Sequence, residues 1–360
     1  MKRKVGIIGT NGLPGKYGGW DQLVNHITKN LRADFTFLVY TSSATADPTL
    51  KEYNGAKLKI IRLKANGIQS IPYDILSMLH AVIKCDVLFI CGTSGCIFLP
   101  FIRLFGKKIV LNPDGQEWKR KKWSKPVQWF LKLSETVGVK FSSLVVADNV
   151  KIQEYILRNY KKESSLIEYG GDHVINLDLS PDTSIKYSIS AGKYAFKVCR
   201  IEPENNIDII LETFKSKQNI DLLLIGNWDF SVYGRNLRNH YCQYKNLKLL
   251  DPIYDQVTLD ELRSNCGLYI HGHSVGGTNP SLVEAMNLSL CIVAFNVDYN
   301  IETTENSALY FKNKEDLLTI LNDFESNLID LEKYKIKMKE IASRRYKWSI
   351  ITEKYAKAFE

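Results

Sequence analysis

The sequence predicts an α/β protein built from two Rossmann-like domains in tandem, and three observations support this prediction. The chain has 360 residues, which is more than one core usually accommodates and suits two domains. Short β-branched runs alternate with stretches of helical periodicity, a pattern typical of parallel sheets covered by helices on both faces. The alternation lapses once, from Gly170 to about Ser190, and then starts again.

The first half begins with a basic start, MKRKVGIIGT, whose short apolar run leads into a glycine-rich loop. This predicts a first strand rather than a signal peptide. One helix face follows, marked by Trp20, Leu23, Val24, Ile27 and Leu31. Further strands are predicted at FTFLVYT, KLKIIRL, DVLFIC, KKIVLN and SSLVVAD. The apolar run 87–102 is interrupted by glycine and proline and predicts strand, loop and helix, with a membrane-dipping element as the less favoured alternative.

The second half repeats the pattern, with strands predicted at YAFKVCRI, IDLLLIG, LKLLDPI, GLYIHG and LCIVAFN. Helices are predicted at IDIILETF, LDELRSNC and PSLVEAMNL, and a last helical stretch covers about 314–360. We therefore expect a first domain at 1–185, a second at 186–340 and a closing helix at 341–360 that packs back on the first domain. The two domains are expected to face a central cleft, with ligands at the carboxyl ends of both sheets.

Charge is distributed unevenly along the chain, whose net charge is +9. Residues 1–190 carry 27 Lys and Arg against 16 Asp and Glu, whereas residues 191–360 carry 21 against 23. A basic first domain suggests nucleic acid, anionic lipid or a phosphorylated substrate as partner, with a merely solvated basic face as the alternative. The seven cysteines form no metal-ligand spacing, and no histidine pairs with a carboxylate at i+3 or i+4, so we expect reduced thiols and no metal.

The stretch HGHSVGGTNPSLVEAM is the sharpest candidate for a binding site in the second half. A strand is followed by a glycine loop, a potential cap at Asn279 and Pro280 at the first helical position. Amides at such a helix start bind anions and suit a diphosphate. Glu284, one turn further on, can accept hydrogen bonds from ribose hydroxyls. The alternative is a capped helix without a ligand. His271 and His273 either line the cleft or are structural.

Two further residues end predicted strands. Arg200 follows the strand AFKVC and is suited to a bidentate grip on phosphate, with a surface salt bridge as the alternative. Asp114 follows KKIVLN and is a candidate general base or sugar-orienting group, with an ordinary Asp-Gly turn as the alternative.

A basic and aromatic segment comes directly after Asp114. Cations interleaved with tryptophans suit a membrane interface or a lipid phosphate. Stacking on single-stranded nucleic acid is less favoured because the chain contains no recognised nucleic-acid motif. The segment comprises Trp118, Lys119, Arg120, Lys121, Lys122, Trp123, Lys125, Trp129 and Phe130.

Taken together, these motifs resemble the GT-B glycosyltransferases of family 4, which are retaining enzymes. GTNGLPGKYGGWDQLV, DGQEWKRKKW, RIEPENNID and HGHSVGGTNPSLVEAM occur in the order of that family, and YKWSIITEKY is similar to its closing helix. The resemblance covers nearly the whole chain. It is closest to the bacterial rhamnosyltransferase subgroup that assembles capsule and cell-wall polysaccharides.

The resemblance implies roles for individual residues. Arg200 would hold the donor diphosphate, Glu284 the ribose, and Asp114 would face the transferred sugar or the acceptor. Gly18 and Gly19 would approach the diphosphate from the first domain, and Ile253 would lie beside the base. The remaining donor-binding residues are expected at Gly276, Gly277, Thr278, Asn279, Ser281 and Leu282. The acceptor or membrane residues are expected at Glu117, Trp118, Lys119, Arg120, Lys122 and Trp123.

Two departures from the broad family bear on the donor. Gly276 stands where the family has a glutamate that touches the donor sugar, and Asn205 stands where it has a lysine. The rhamnosyltransferase subgroup shares both features, which favours dTDP-L-rhamnose as donor. The resemblance also implies a lipid-linked saccharide acceptor, metal-independent transfer and a peripheral position at the cytoplasmic face of the cell membrane.

Three other functions remain open at this point. The first is a family 4 transferase that uses a UDP- or GDP-hexose. The second is a non-catalytic protein that binds a nucleotide-sugar or an anionic lipid. The third is a dinucleotide oxidoreductase, which is disfavoured because GTNGLPG is only a partial glycine fingerprint.

Overall fold

A computed structural model describes residues 2–15, 18–120 and 123–360 of the chain. The chain divides into two compact units. The first comprises residues 1–169 and 348–360, and the second comprises residues 170–347. Each unit contains one sheet whose neighbouring strands are parallel, apart from one antiparallel pair in the first unit. The α/β class and the two largely parallel sheets predicted from the sequence are confirmed.

The sheet of the first unit has eight strands in the order β3-β4-β2-β1-β5-β6-β7-β8. β5 is buried along its whole length, which explains its continuous apolar run. The strands are β1 (Lys4–Ile8), β2 (Thr36–Ser42), β3 (Glu52–Tyr53), β4 (Ala56–Ile61), β5 (Val87–Cys91), β6 (Lys108–Asn112), β7 (Leu144–Ala147) and β8 (Ser165–Leu166).

The helices of the first unit lie in two layers. From β4 onward the chain moves across the sheet in the direction opposite to its path from β1 to β2. Because such crossovers are right-handed, the later helices share one face and α1 covers the other. The helices are α1 (Gly19–Leu31), α2 (Ser70–Lys84), α3 (Leu99–Arg103), α4 (Lys125–Phe141) and α5 (Val150–Tyr160).

The second unit has six parallel strands in the order β11-β10-β9-β12-β13-β14. The strands are β9 (Tyr194–Val198), β10 (Asp221–Ile225), β11 (Leu247–Leu250), β12 (Leu268–His271), β13 (Ile292–Phe295) and β14 (Leu309–Phe311). The helices are α6 (Pro181–Tyr187), α7 (Ile207–Lys215), α8 (Val232–Tyr241), α9 (Gln256–Ser264), α10 (Pro280–Asn287), α11 (Asp298–Thr303), α12 (Lys314–Glu325) and α13 (Leu331–Arg345).

The last helix, α14 (Trp348–Phe359), belongs to the first unit. The Trp348 ring stacks on His26 of α1 with centroids 4.0 Å apart, and the Phe359 ring packs against Phe35, Phe37 and Phe89. Phe359 is fully buried, so this helix completes the core on the α1 side of the sheet.

The observed unit boundaries differ from positions 185 and 340, and local contacts explain why. The Ile175 amide donates to Asp260, and the Thr183 hydroxyl donates to Glu261, so the segment after Gly170 is fastened to α9 of the second unit. At the other end, α13 continues to Arg345, which pairs with Glu302 at 2.6 Å. The helical stretch predicted over 314–360 is three helices.

Within the described residues, no helix is long and apolar enough to cross a membrane.

Candidate functional site

The second sheet changes direction between β9 and β12. From β9 the chain proceeds outward to β10 and β11, and it then returns to β12 on the opposite side. In open α/β sheets, ligands bind at the carboxyl ends of the strands beside such a switch point. The two loops at this position are 199–206 and 272–279, and they contain Arg200, Gly276, Gly277, Thr278 and Asn279 of the residues that the sequence predicted to bind the donor.

Hydrogen bonds hold these two loops together. The Ser274 amide and hydroxyl each donate to the Glu204 carbonyl at 2.9 Å, and the Asn206 side chain donates to the Gly272 carbonyl at 2.7 Å. The loops approach so closely that a Cβ on Gly272 would lie 2.1 Å from the Asn205 carbonyl oxygen. The edge of the sheet is therefore preorganised by its own backbone.

Arg200 lies at the beginning of the first loop, with its side chain 42% exposed. Its Nε is 3.7 Å from Glu202 Oε2, and its carbonyl accepts a hydrogen bond from Asn205 Nδ2 at 2.9 Å. Asn205 Oδ1 is also 3.3 Å from His273 Nδ1. Asn205 therefore links the two loops at the position where the broad family has a cation.

A second cation lies in the strand below. Lys197 is 1% exposed in β9, and burial lowers its pKa, while the Cys199 thiol, with which it interacts, acts in the opposite sense. Lys197 is the next-to-last residue of β9, so it lies near the carboxyl end of that strand. His271 ends β12 nearby, and burial together with Lys197 lowers its pKa well below the usual range, so that its ring is neutral. Its Nε2 is buried without a hydrogen bond to any described residue.

The start of α10 differs in one respect from the prediction. Asn279 caps the helix, and its Oδ1 accepts from the Ser281 amide at 3.0 Å. The Leu282 amide donates to the Asn279 carbonyl at 3.0 Å. The amides of Ser281 and Leu282 are therefore engaged by the cap instead of pointing outward as expected. Thr278 precedes the cap and is buried.

The amides of Gly276 and Gly277 are the remaining candidates for anion binding. Neither amide donates to another group in the described part of the chain. Gly276 has φ 126°, a conformation that side-chain-bearing residues rarely adopt, and a Cβ there would lie 3.2 Å from His273 Nε2. Two consecutive amides beside a helix start form a typical anion-binding concavity.

Glu284 lies on the second turn of α10 and has two partners. Arg263 of α9, which is itself buried, forms an ion pair with Glu284 Oε2, and His173 Nε2 is 3.4 Å from Oε1. Burial would raise the pKa of Glu284, but Arg263 and His173 together lower it to about 2. The carboxylate is thus ionised and 14% exposed. A carboxylate has about four acceptor positions, which leaves capacity for further donors.

Ile253 is half-buried in the loop between β11 and α9. β11 is two strands away from the switch point between β9 and β12. Its role beside a base remains a prediction.

The first sheet has its own switch point, between β1 and β5. Gly18 directly precedes α1 with φ 96°, and a Cβ built on it would meet no atom within 4 Å. Glycine is thus required there by the backbone conformation and not by local crowding. Gly19 is the first residue of α1.

Asp114 follows β6 at the same edge, with φ 64°. Its amide donates to the Asn112 side chain at 3.1 Å, and its Oδ2 lies 3.9 Å from Arg120 Nη2. Arg120 Nε is 2.6 Å from Glu117 Oε2, and Glu117 Oε1 accepts from Trp123 Nε1 at 3.0 Å. Asp114 is therefore oriented by a folded loop.

These contacts change the interpretation of the basic segment. The Arg120 side chain is 8% exposed and paired inward, so it cannot form part of a membrane-facing surface. Trp118 is half-buried, with the ammonium of Lys132 4.7 Å and that of Lys119 5.5 Å from its ring centroid. Lys119 is exposed. Lys121 and Lys122 lie outside the described residues.

Two family models match the chain. Residues 2–172 match one described as "Domain of unknown function (DUF1972)", and residues 185–342 match one described as "Glycosyl transferases group 1". The second match covers the switch point, Arg200 and Glu284. The chain is a glycosyltransferase. No curated protein sequence matches this glycosyltransferase.

Solved structures resemble the glycosyltransferase over almost its whole length. Sucrose-phosphate synthase from Thermosynechococcus elongatus has a TM-score of 0.82 at 15% identity, with 99% of this chain and 98% of that chain covered. Anabaena HepE in complex with UDP-glucose has a TM-score of 0.77 at 16% identity, with 99% and 98% covered. A trehalose-6-phosphate structure from E. coli with UDP-2-fluoro glucose has a TM-score of 0.72 at 11% identity, with 99% of this chain and 98% of that chain covered. At these identities the resemblance establishes the fold.

Three residues at this edge of the glycosyltransferase were not found from the sequence. Arg263 and His173 reach Glu284 from distant positions in the chain, which no local motif reveals. Lys197 had a signal, because a lysine in the middle of an apolar strand is unusual.

Proposed function

We propose that the enzyme is a retaining glycosyltransferase that transfers L-rhamnose from dTDP-L-rhamnose to a polyprenyl-diphosphate-linked saccharide. The observation that carries the proposal is Glu284, which Arg263 keeps ionised beside the capped start of α10. A fixed carboxylate next to an anion-binding concavity matches the ribose and the diphosphate of a nucleotide-sugar. The acceptor would be bound at the inner face of the cell membrane during bacterial surface polysaccharide assembly.

The choice of sugar rests on Gly276 and Asn205. Gly276 offers no carboxylate to the hydroxyls of a donor sugar, which suits a deoxysugar with a different hydroxyl pattern. Asn205 is neutral and already bound to Arg200 and His273, so it does not neutralise the diphosphate. In this proposal Arg200 takes that charge, with Lys197 as a second cation below it.

Transfer would depend on electrostatic stabilisation of the leaving diphosphate. The Arg200 guanidinium and the Gly276 and Gly277 amides would hold the developing negative charge, so the proposal requires no metal. The acceptor hydroxyl would attack on the face from which the diphosphate departs, which retains the anomeric configuration. Asp114 would orient the acceptor or the transferred sugar.

A donor screen with product mass tests this function. The purified enzyme is incubated with dTDP-L-rhamnose, UDP-glucose and GDP-mannose, each with a polyprenyl-diphosphate-linked saccharide. We expect a product heavier by one deoxyhexose with dTDP-L-rhamnose only. Absence of transfer from every donor, with intact acceptor, would rule the function out.

A second candidate is transfer from a UDP-hexose, and one observation favours it. The similar Anabaena structure contains UDP-glucose, and the E. coli structure contains UDP-2-fluoro glucose. A thermal-shift panel separates the two candidates, because only the true donor nucleotide should raise the unfolding temperature strongly. A larger shift with UDP than with dTDP would favour the second candidate.

A further inference from the structure

Helix α2 of the first unit presents an apolar stripe to solvent. Pro72, Leu76, Leu79 and Ile83 recur at intervals of four, three and four residues and are all exposed, with Ile83 73% exposed. Ile68, in the turn before the helix, is 84% exposed. The opposite side of α2 is already buried against the sheet. Ordinary surface helices have polar residues on the outer stripe, so this helix is unpartnered.

The apolar exposure continues across the same helical layer. α3 contacts both α2 and α4, so the three helices lie side by side. Phe101, Leu104 and Phe105 are exposed at α3, and Leu104 is 83% exposed. Trp129 and Leu133 are exposed on α4. We call the exposed apolar residues of these helices the α2–α4 surface: Ile68, Pro72, Leu76, Leu79, Ile83, Phe101, Leu104, Phe105, Trp129 and Leu133.

The exposed charged side chains on the helices α2, α3 and α4 are all of one sign. The two carboxylates carried by α2, α3 and α4 are Asp74 and Glu135, and both are buried. The exposed charged side chains on these helices are basic: Lys84, Arg103, Lys125 and Lys140. A second copy of the chain would bring two basic rims together, whereas an anionic surface would complement them.

We propose that the α2–α4 surface docks on a bilayer of anionic lipids. Exposed leucine, isoleucine and phenylalanine would enter the boundary between headgroups and acyl chains, and Trp129 is suited to that depth. The basic rim would bind lipid phosphates. The proposal moves the membrane contact away from residues 117–123, whose Arg120 is paired inward. The docking itself does not depend on the proposed function. Only the reason for docking rests on that function, because the proposed acceptor is linked to a lipid.

Vesicle co-sedimentation of the full chain tests this surface without donor or acceptor. Wild type is compared with L76E/I83E on phosphatidylcholine vesicles with and without phosphatidylglycerol. The matched control is L328E/I336E, which places the same charges at two similarly exposed apolar positions of the second unit. All three proteins are measured on both vesicle compositions, and equal unfolding temperatures confirm that the two double variants are folded like wild type. We expect wild type and control to bind the anionic vesicles, with binding weakened by salt, and L76E/I83E to bind at least about tenfold less.

Three results would overturn the proposal. Wild type that does not bind anionic vesicles would exclude a lipid surface. Equal binding by both double variants, with loss in Lys119→Ala, would return the contact to the segment 117–123. A wild-type dimer that L76E/I83E converts to a monomer would assign the surface to self-association. Transfer to a water-soluble acceptor analogue is measured on the same samples: activity without vesicle binding defeats this proposal alone, and vesicle binding without activity defeats the proposed function alone.

Discussion

The buried charged groups at the carboxyl edges of the two sheets differ. At the second edge they include Lys197, Arg263 and Glu204, and Glu284 is held ionised between Arg263 and His173. At the first edge they include the carboxyls Asp21, Asp74 and Asp148 together with the guanidinium of Arg120, which pairs with Glu117. Asp21 accepts from the Asn11 amide and Asp74 from the Gly95 amide, so both stabilise loops that follow strands.

The charged groups at the two edges do not follow the overall charge of the two halves. The first half of the sequence carries the excess of basic residues, and the second half is slightly acidic. The basic residues around the α2–α4 surface include Lys84, Arg103 and Lys140, which lie in the last turns of α2, α3 and α4, at the opposite ends of these helices from the carboxyl ends of the strands. Net charge therefore suggests where a protein meets a charged surface, whereas the groups at the strand ends determine which ligand chemistry each edge favours.

The largest expected effect is the loss of glycosyl-transfer rate in the variant Arg200→Ala. If the second edge holds the diphosphate, removing this cation should lower kcat/KM about 10²- to 10³-fold, because the charge develops in the transition state. Steady-state kinetics with the active donor measures it. Arg238→Ala is the control, since Arg238 forms an exposed pair with Asp251 at 2.7 Å in the same unit and should leave the rate unchanged. Equal loss in both variants would contradict a specific role.

The next effect is expected in Arg263→Met, which should lower both the stability of the protein and its affinity for the nucleotide. Removing the guanidinium leaves the mostly buried Glu284 carboxylate with only His173 beside it, which should cost about 3 kcal/mol and weaken nucleotide binding. Urea unfolding and calorimetric titration measure the two losses. Arg345→Met is matched, because Arg345 also pairs with carboxylates in the second unit and is mostly buried. It should lose stability but keep nucleotide affinity, so an equal loss of affinity would show an indirect effect.

A smaller effect is expected from Lys197→Met. Lys197 is buried, and no carboxylate among the described residues forms an ion pair with it, so methionine should preserve or raise the unfolding temperature of the free protein while donor affinity falls about tenfold. Lys248→Met is the control. It should lower the unfolding temperature, because Lys248 donates to Asp221 at 2.7 Å, and it should leave donor affinity unchanged, because β11 is remote from the switch point. Unchanged donor affinity in Lys197→Met would show that Lys197 does not contribute to diphosphate binding and would leave Arg200 as the proposed cation.

The last effect concerns the stability of the first unit and not ligand binding, and it is measured as the pH dependence of the free energy of unfolding. Burial raises the pKa of Asp74 to about 8, although the Gly95 amide opposes the shift. Because the folded pKa lies above the unfolded value, Asp74 stabilises the fold below about pH 4, and that stability is lost as pH rises to about 8. The slope is at most about 1.4 kcal/mol per pH unit. Asp74→Asn should remove this slope in urea unfolding between pH 5 and 8, and an unchanged slope would assign it to another group.

Much of the fold was predictable because its signals are local. Strand runs such as DVLFIC and helix starts such as Asn279-Pro280 depend on neighbouring residues, so the two sheets and the cap of α10 follow from sequence. The short strand β14 and the division of the last stretch into three helices carry weaker patterns. The boundary near residue 170 depends on contacts with α9, which sequence spacing does not reveal.

The candidate site was predictable only in part. Arg200, Gly276 and Glu284 belong to motifs, so the sequence singled them out. Arg263 and His173 reach Glu284 from distant parts of the sequence, so only the tertiary fold reveals them as its partners. The same holds for the position of Lys197 beside this edge. The engagement of the Ser281 and Leu282 amides by Asn279 and the inward pairing of Arg120 required coordinates. The α2–α4 surface was missed because α2 is apolar on both sides, which resembles a core helix in sequence.

Nucleotide affinity of three variants tests the contrast between the edges most directly. Isothermal titration of dTDP, or of whichever nucleotide stabilises the enzyme, is compared for wild type, Arg200→Ala, Glu284→Gln and Asp114→Asn. We predict that Kd rises at least about tenfold in the two second-edge variants, since each loses one strong charged interaction, and remains unchanged in Asp114→Asn. A Kd that rises in Asp114→Asn and is unaffected in the other two would place the nucleotide at the first edge and contradict the account.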